Sequence, residues 1–355
     1  MKRKYYLIVL LWITACYSCK KSNRVIEQPV HVYVAGYEFK DGNVFAKYWK
    51  DGKPVPLREG SNKGRVESII VSGGDVYMAG YEDIVANTKA VAKYWKNGRS
   101  VALSDSLNAN YASSIAVSGS DVYVSGSQST GTTSSSLTIA KYWKNGIPVI
   151  LSDGLHSAGA SSIAVSSSDV YVAGSESTGK KDRDGFDLVV AKYWKNGASV
   201  ILSQPAIFTG AQSIVVAGND IYVSGNVYTA ATYWKNGTSF TLSNNSIGAS
   251  GSSIAVSGTD VYVAGFENNG TRVLNAKYWK NGTAVNITNG PYPAIANSIA
   301  VSGNDVYVAG YEGIGVNQSY LNGLGIAKYW KNGSPVALSD SINHSIATSI
   351  FLSRE

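Results

Sequence analysis

At 355 residues the chain is long enough for two domains, yet only 15% of it is charged while 37 glycines and 24 tyrosines accompany many Ser and Val, a balance that favours short strands over helices. The formal net charge of +7 includes Lys2, Arg3 and Lys4 of an N-terminal leader, and the remaining +4 is spread over lysines that recur along the whole chain. Charge so dispersed makes no basic footprint, and no nucleic-acid partner is expected.

The leader, residues 1–15, has a basic start, an apolar run from Tyr5 to Ile13 too short to span a bilayer as a helix, and small residues before a cysteine. Ile13-Thr14-Ala15-Cys16 resembles the lipobox of bacterial lipoproteins. The resemblance implies cleavage before Cys16, acylation of that cysteine, and a lipid-anchored, extracytoplasmic protein of the bacterial cell envelope. Cys19 is the alternative acceptor, but Cys16 stands three places upstream of it where an apolar residue is expected. Cleavage without lipidation and a Cys16–Cys19 disulfide are further readings. Residues 16–29, with a polar stretch from Lys20 to Gln28, then serve as a tether.

From residue 30 to 355 one unit repeats about every 45 residues. Its markers are a tryptophan, at Trp49, Trp95, Trp143, Trp194, Trp234, Trp279 and Trp330, and an upstream Asp-Val-Tyr-Val-Ala-Gly or close variant. In the unit from Ser162 to Ser203 the runs Ser162–Ser166, Asp169–Gly174, Ala191–Lys195 and Ser199–Ser203 read as four strands. Asn196-Gly197 joins the last two, and such a dipeptide demands positive φ at both central positions of a hairpin turn. Pro54, Pro56, Pro148 and Pro335 all fall in the fourth run, which marks it as the outer edge, since proline has no N–H for a ladder. The first run, with Ala116, Ala164, Ala255 and Ala300, belongs near a crowded axis.

This pattern resembles a β-propeller, all-β, with seven four-stranded antiparallel blades. It lacks the Trp-Asp of WD40 blades and the paired glycines of kelch blades, so no subfamily is indicated. The first unit opens at His31 without an inner strand, and Ser349–Ser353 is the spare one, so the C-terminus is expected to complete blade 1 and close the ring.

The tryptophans are expected to pack between blades. Asp75, Asp121, Asp169, Asp220, Asp260 and Asp305 end a Gly- or Ser-containing turn, where a carboxylate can accept backbone N–H groups, and His31 takes the seventh position. Lys47, Lys93, Lys192, Lys277 and Lys328 are expected to pair with Glu38, Glu82, Glu176, Glu267 and Glu312 within a blade. Blade 5 has lost both partners, with Thr232 and Val227 in their places.

For function, the face carrying the second turn of each blade varies most in length and is the natural binding face. Aromatics at Tyr37, Tyr81, Phe266 and Tyr311 follow the Ala-Gly of four ring-adjacent blades, where the other three have Ser127, Ser175 and Asn226. They are the candidate ligand-binding arc, with packing between blades as the alternative. Asp182, Asp184 and Asp187 are a weak candidate for a cation, lacking full ligand spacing, and no cofactor is expected. No catalytic constellation emerges from His31, His156 and His344. The sequence therefore reads as a binding or scaffold module for a protein or glycan. A carbohydrate-active hydrolase or lyase would need convergent carboxylates or a metal at the channel mouth. A multivalent lectin would need seven alike sites, against which the unequal loops speak.

Overall fold

The computed structural model describes residues 28–57, 63–85, 89–131, 136–243, 248–268, 270, 273–313, 325–340 and 342–354. The cysteines and the leader lie outside these residues. Among the described residues there are 28 strands and no helix, arranged as seven four-stranded antiparallel sheets.

Blade 4 shows the unit: Ala158–Ser166 innermost, then Asp169–Lys181, Asp187–Lys195 and, outermost, Ala198–Ile201. Blade 1 is assembled from both ends of the chain. His344–Ser353 supplies its inner strand and pairs with His31–Lys40, followed by Asn43–Lys50 and Lys53–Val55. The ring closes through this pairing.

The expected inner strands were too short. That of blade 4 starts at Ala158, four residues before Ser162, and its register with the second strand shifts between Ala160 and Ser162. The same shift recurs in every blade, which places one bulged residue per inner strand. It also explains the Gly of Ala-Gly. At Gly80 a Cβ would lie 1.9 Å from the carbonyl oxygen of Arg65, so only glycine lets the bulged strand approach.

Beyond the bulge, a serine of each inner strand accepts the backbone N–H of an isoleucine in the next blade. The series runs Ser349 to Ile69, Ser68 to Ile115, Ser114 to Ile163, Ser162 to Ile214, Ser213 to Ile254, Ser253 to Ile299 and Ser298 to Ile350, at 3.1–3.4 Å. This closed girdle accounts for the recurring Ser-Ile. One core cluster sits at each blade interface. Trp49 packs on Tyr307, Ala309, Ala327 and Leu338 of blade 7, and Trp95 on Tyr33, Ala35, Tyr48 and Leu57 of blade 1.

The face with the first and third turns is uniform. The aspartates do not cap their own turns as expected; they clamp two turns together. Asp75 Oδ1 accepts Asn97 Nδ2 at 2.7 Å, Asn97 Oδ1 accepts the N–H of Val76, and Asp75 Oδ2 meets Lys96 at 2.7 Å. In blade 1 the roles are exchanged: His31 Nδ1 meets Asp51 Oδ2 at 2.8 Å, and Asp51 Oδ1 accepts the N–H of Val32. The Lys–Glu pairs form in all five blades that have both residues, and in blade 3 Lys141 donates to Gln128 instead. Half of the 24 Asp and Glu side chains are thereby engaged in pairs within single blades.

Candidate functional site: the axial cavity of the loop face

At the loop end of the ring axis lies a cavity of about 730 Å³. The bulged inner-strand residues form its floor. Thr348, Glu67, Ser113, Ser161, Gln212, Ser252 and Asn297, one from each of blades 1 to 7, all line it. Six are neutral and polar. Glu67 is the exception.

The wall above the floor is one-sided. The positions that can build it are the residue two places before each bulge and the residue that pairs with it just after the Ala-Gly or Ser-Gly of the second strand. In blade 2 these are Arg65 and Tyr81, in blade 3 Tyr111 and Ser127, in blade 7 Ile295 and Tyr311, in blade 1 Ile346 and Tyr37. Blades 4, 5 and 6 have Gly159 with Ser175, Gly210 with Asn226 and Ser250 with Phe266, none of which lines the cavity.

Of the four aromatics singled out from the sequence, Tyr37, Tyr81 and Tyr311 line the cavity, while Phe266 is not among its lining residues. Tyr111 extends the arc into blade 3 instead, edge-on to Tyr81 with centroids 4.9 Å apart. Sequence reasoning missed Tyr111, Arg65 and Glu67. All three precede the Ser-Ile landmark, in the part of the inner strand that the bulge puts out of phase. The signal available was that Arg65 and Glu67 each occur once in a position filled elsewhere by small or neutral residues.

Arg65 and Glu67 are the charged residues among those lining the cavity. The Arg65 guanidinium lies over the Tyr37 ring at 4.5 Å, with Nη1 donating to the Tyr37 hydroxyl at 3.4 Å, and its Nε is buried without an acceptor. Burial raises the Glu67 carboxyl above the usual carboxylate range, against the opposing pull of Arg65. Asp83, also within the field of Arg65, is raised by burial too. The phenol of Tyr37 is pushed up to about 12 by burial, in spite of Arg65, and those of Tyr81, Tyr111 and Tyr311 rise for the same reason. These tyrosines are neutral hydrogen-bonding groups at any ordinary pH.

The acidic loop of blade 4 stands apart from this cavity. Asp182 Oδ1 accepts the backbone N–H groups of Asp184 and Phe186 at 3.0 and 2.9 Å, and Asp187 meets Lys181 at 2.9 Å. Among the described residues no three His, Cys, Asp or Glu side chains are grouped to hold a metal ion.

Fold and site together define a seven-bladed β-propeller with an asymmetric axial cavity. No protein-family model matches the chain, and no curated protein matches it in sequence. Solved structures match it in fold. A puromycin-hydrolyzing peptidase of Mycobacterium tuberculosis is similar over 86% of this chain, at 10% identity and a TM-score of 0.54; the match takes in 53% of the peptidase's own length. The β-propeller domain of the Trilobed protease from Pyrococcus furiosus aligns over 87% of this chain and 95% of its own, at 11% identity and a TM-score of 0.48. The computationally designed Ika8 protein aligns over 89% and 90%, at 15% identity and 0.43. At such identities the likeness to the peptidase is one of fold.

Proposed function

We propose that this chain is a binding module that takes one ligand in the axial cavity of its loop face, held by a lipid anchor at Cys16 on the outer side of a bacterial membrane. The observation that carries the reading is the one-sided lining of the cavity. Packing alone calls for the same residue in every blade, as it does for the tryptophans. Here four tyrosines and a charged pair gather in blades 7, 1, 2 and 3, whereas blades 4, 5 and 6 contribute only Ser161, Gln212 and Ser252 to the lining. Seven equivalent lectin sites do not fit such a wall.

The test immobilises the protein, exposes it to bacterial envelope extract and compares what wild type and variants retain. Truncating an aromatic anchor costs about 2 kcal/mol, roughly 30-fold in affinity, so Tyr37→Ala, Tyr81→Ala, Tyr111→Ala and Tyr311→Ala should each release the captured ligand. Ser175→Ala and Phe266→Ala should not. Equal retention by all variants defeats the cavity as the site. The anchor is checked by mass spectrometry of the mature N-terminus, where a lipid-bearing peptide that begins at Cys19, or an unmodified one, defeats the assignment to Cys16.

A further inference from the structure

The floor and wall of the axial cavity hold polar groups that the fold does not use. Glu67 makes no hydrogen bond or ion pair among the described residues, and neither do the side chains of Ser113, Ser161, Gln212 and Ser252. Among the described residues Arg65 has no carboxylate within ion-pair distance; its Nη1 makes only the 3.4 Å bond to the Tyr37 hydroxyl, and its buried Nε has no acceptor. By contrast, Asn297 and Thr348 on the same floor are engaged. Asn297 donates to the carbonyl of Ala347 at 2.8 Å, and Thr348 donates to those of Val66 and Ala35. A half-buried acceptor and a half-buried donor left open in one cavity set a condition on what fills it, because each is costly when desolvated without a partner.

Charge narrows the choice. An anion would satisfy Arg65 and meet Glu67; a cation would satisfy Glu67 and meet Arg65. Either leaves one like charge facing the ligand in a partly dry site. A neutral group whose atoms both donate and accept meets both residues at once, and a pair of sugar hydroxyls does so. Gln212 and the floor serines are donor–acceptor groups of the same kind. The ring faces of Tyr37, Tyr81, Tyr111 and Tyr311 supply flat apolar surface for the C–H faces of a pyranose. Topology limits the approach. Seven inner strands surround the cavity in a closed ring, so its floor is reached by the end or a branch of a polymer and not by the middle of a chain lying across it.

We propose that the axial cavity binds the terminal residue of a neutral glycan, with Glu67 accepting hydrogen bonds from its hydroxyls and Arg65 donating to them. This rests on the reading of that cavity as the ligand site. The experiment uses the full chain in detergent micelles against an oligosaccharide array. Cores ending in glucose, galactose, mannose or N-acetylglucosamine are matched with the same cores ending in a uronic acid, a sialic acid or free glucosamine, and a set of short peptides forms a separate arm. At least one neutral terminus should bind, with its charged counterparts weaker by about tenfold or more. Glu67→Gln, nearly isosteric, should weaken that binding by about tenfold without lowering the melting temperature. Preference for a charged terminus, binding of peptides alone, or no neutral terminus bound overturns the ligand class. If such other binding is lost in Glu67→Gln and Tyr111→Ala, the cavity stands as the site and only the class falls. Neutral glycans held equally by wild type and both variants would overturn the cavity itself.

Discussion

Deleting Ser349–Glu355 should cost this protein most of its stability, because it opens the ring. The five residues Ser349 to Ser353 pair with Ala35 to His31, and Ile350 is 95% buried in the cluster that holds Trp49 and Val34. Two links of the serine girdle go as well: the acceptor of the Ile69 N–H at 3.2 Å and the donor to Ser298 at 3.1 Å. The freed ladder bonds, about 1 kcal/mol each, are roughly offset by the entropy of about 1 to 2 kcal/mol returned to each released residue. What remains is about 2 to 5 kcal/mol for Ile350 and about 1 to 3 for each of the two orphaned girdle groups, together roughly 4 to 11 kcal/mol. Domains are stable by about 5 to 15 kcal/mol, so the truncated chain is expected to be unfolded or nearly so at growth temperature. Ile350→Ala grades the effect. At an unfolding entropy of about 0.7 kcal/mol/K for some 325 residues, a loss of 2 to 5 kcal/mol lowers the melting temperature by roughly 3 to 7 °C. Ile342, 80% exposed, is the control, and its alanine variant should melt with wild type. Calorimetry and urea titration read all three. A truncated chain that melts within about 2 °C of the full one would show that closure does not depend on this strand.

Glu67→Gln should raise the melting temperature at neutral pH. Since burial raises the native carboxyl above its unfolded value, the native state holds more protons between the two, and stability falls as pH rises through that window. The gain of the variant should therefore vanish below about pH 4, and a gap that persists there would count against burial as the cause. Asp75 runs the other way: Lys96 and Asn97 hold its carboxyl below the ordinary range, so its share of stability is present above the unfolded value and lost as pH falls through the native one. His31→Asp sets a carboxylate against Asp51 and should lower the melting temperature, and adding Asp51→Asn, which recreates the pair found in the other blades, should restore it; additive losses in the double variant would refute the exchange of roles. Gly80→Ala drives a Cβ to 1.9 Å from the Arg65 carbonyl and should cost about 1 to 3 kcal/mol or more, whereas Gly159→Ala meets nothing within 4 Å and should stay within about 0.5 kcal/mol; equal melting of the two would remove the bulge as the reason for the glycine.

What the sequence by itself determined is what repeats. Trp49 and its six counterparts and the Asn-Gly or Asp-Gly turns each state a local rule seven times, the prolines of the fourth strand repeat theirs in three blades, and a rule stated by one residue type at one spacing survives translation into structure. Strand order, blade number and the C-terminal closure follow from such rules, as does the Lys–Glu pairing, legible because blade 5 loses both partners together. The axial cavity was only half legible. Tyr37, Tyr81 and Tyr311 stand beside a recurring Ala-Gly and could be placed on one arc. Tyr111, Arg65 and Glu67 could not, because the bulge adds one residue to each inner strand and reverses which side chains face inward, and alternation read from the Ser-Ile landmark gives the wrong phase beyond it. Tertiary structure alone decided that Thr348 lies against the carbonyl of Val66, 282 residues away, and that seven such bulges meet on one axis. The physical reason is closure. A single blade has no floor; the cavity exists only when the last strand joins the first and seven inner edges face one another.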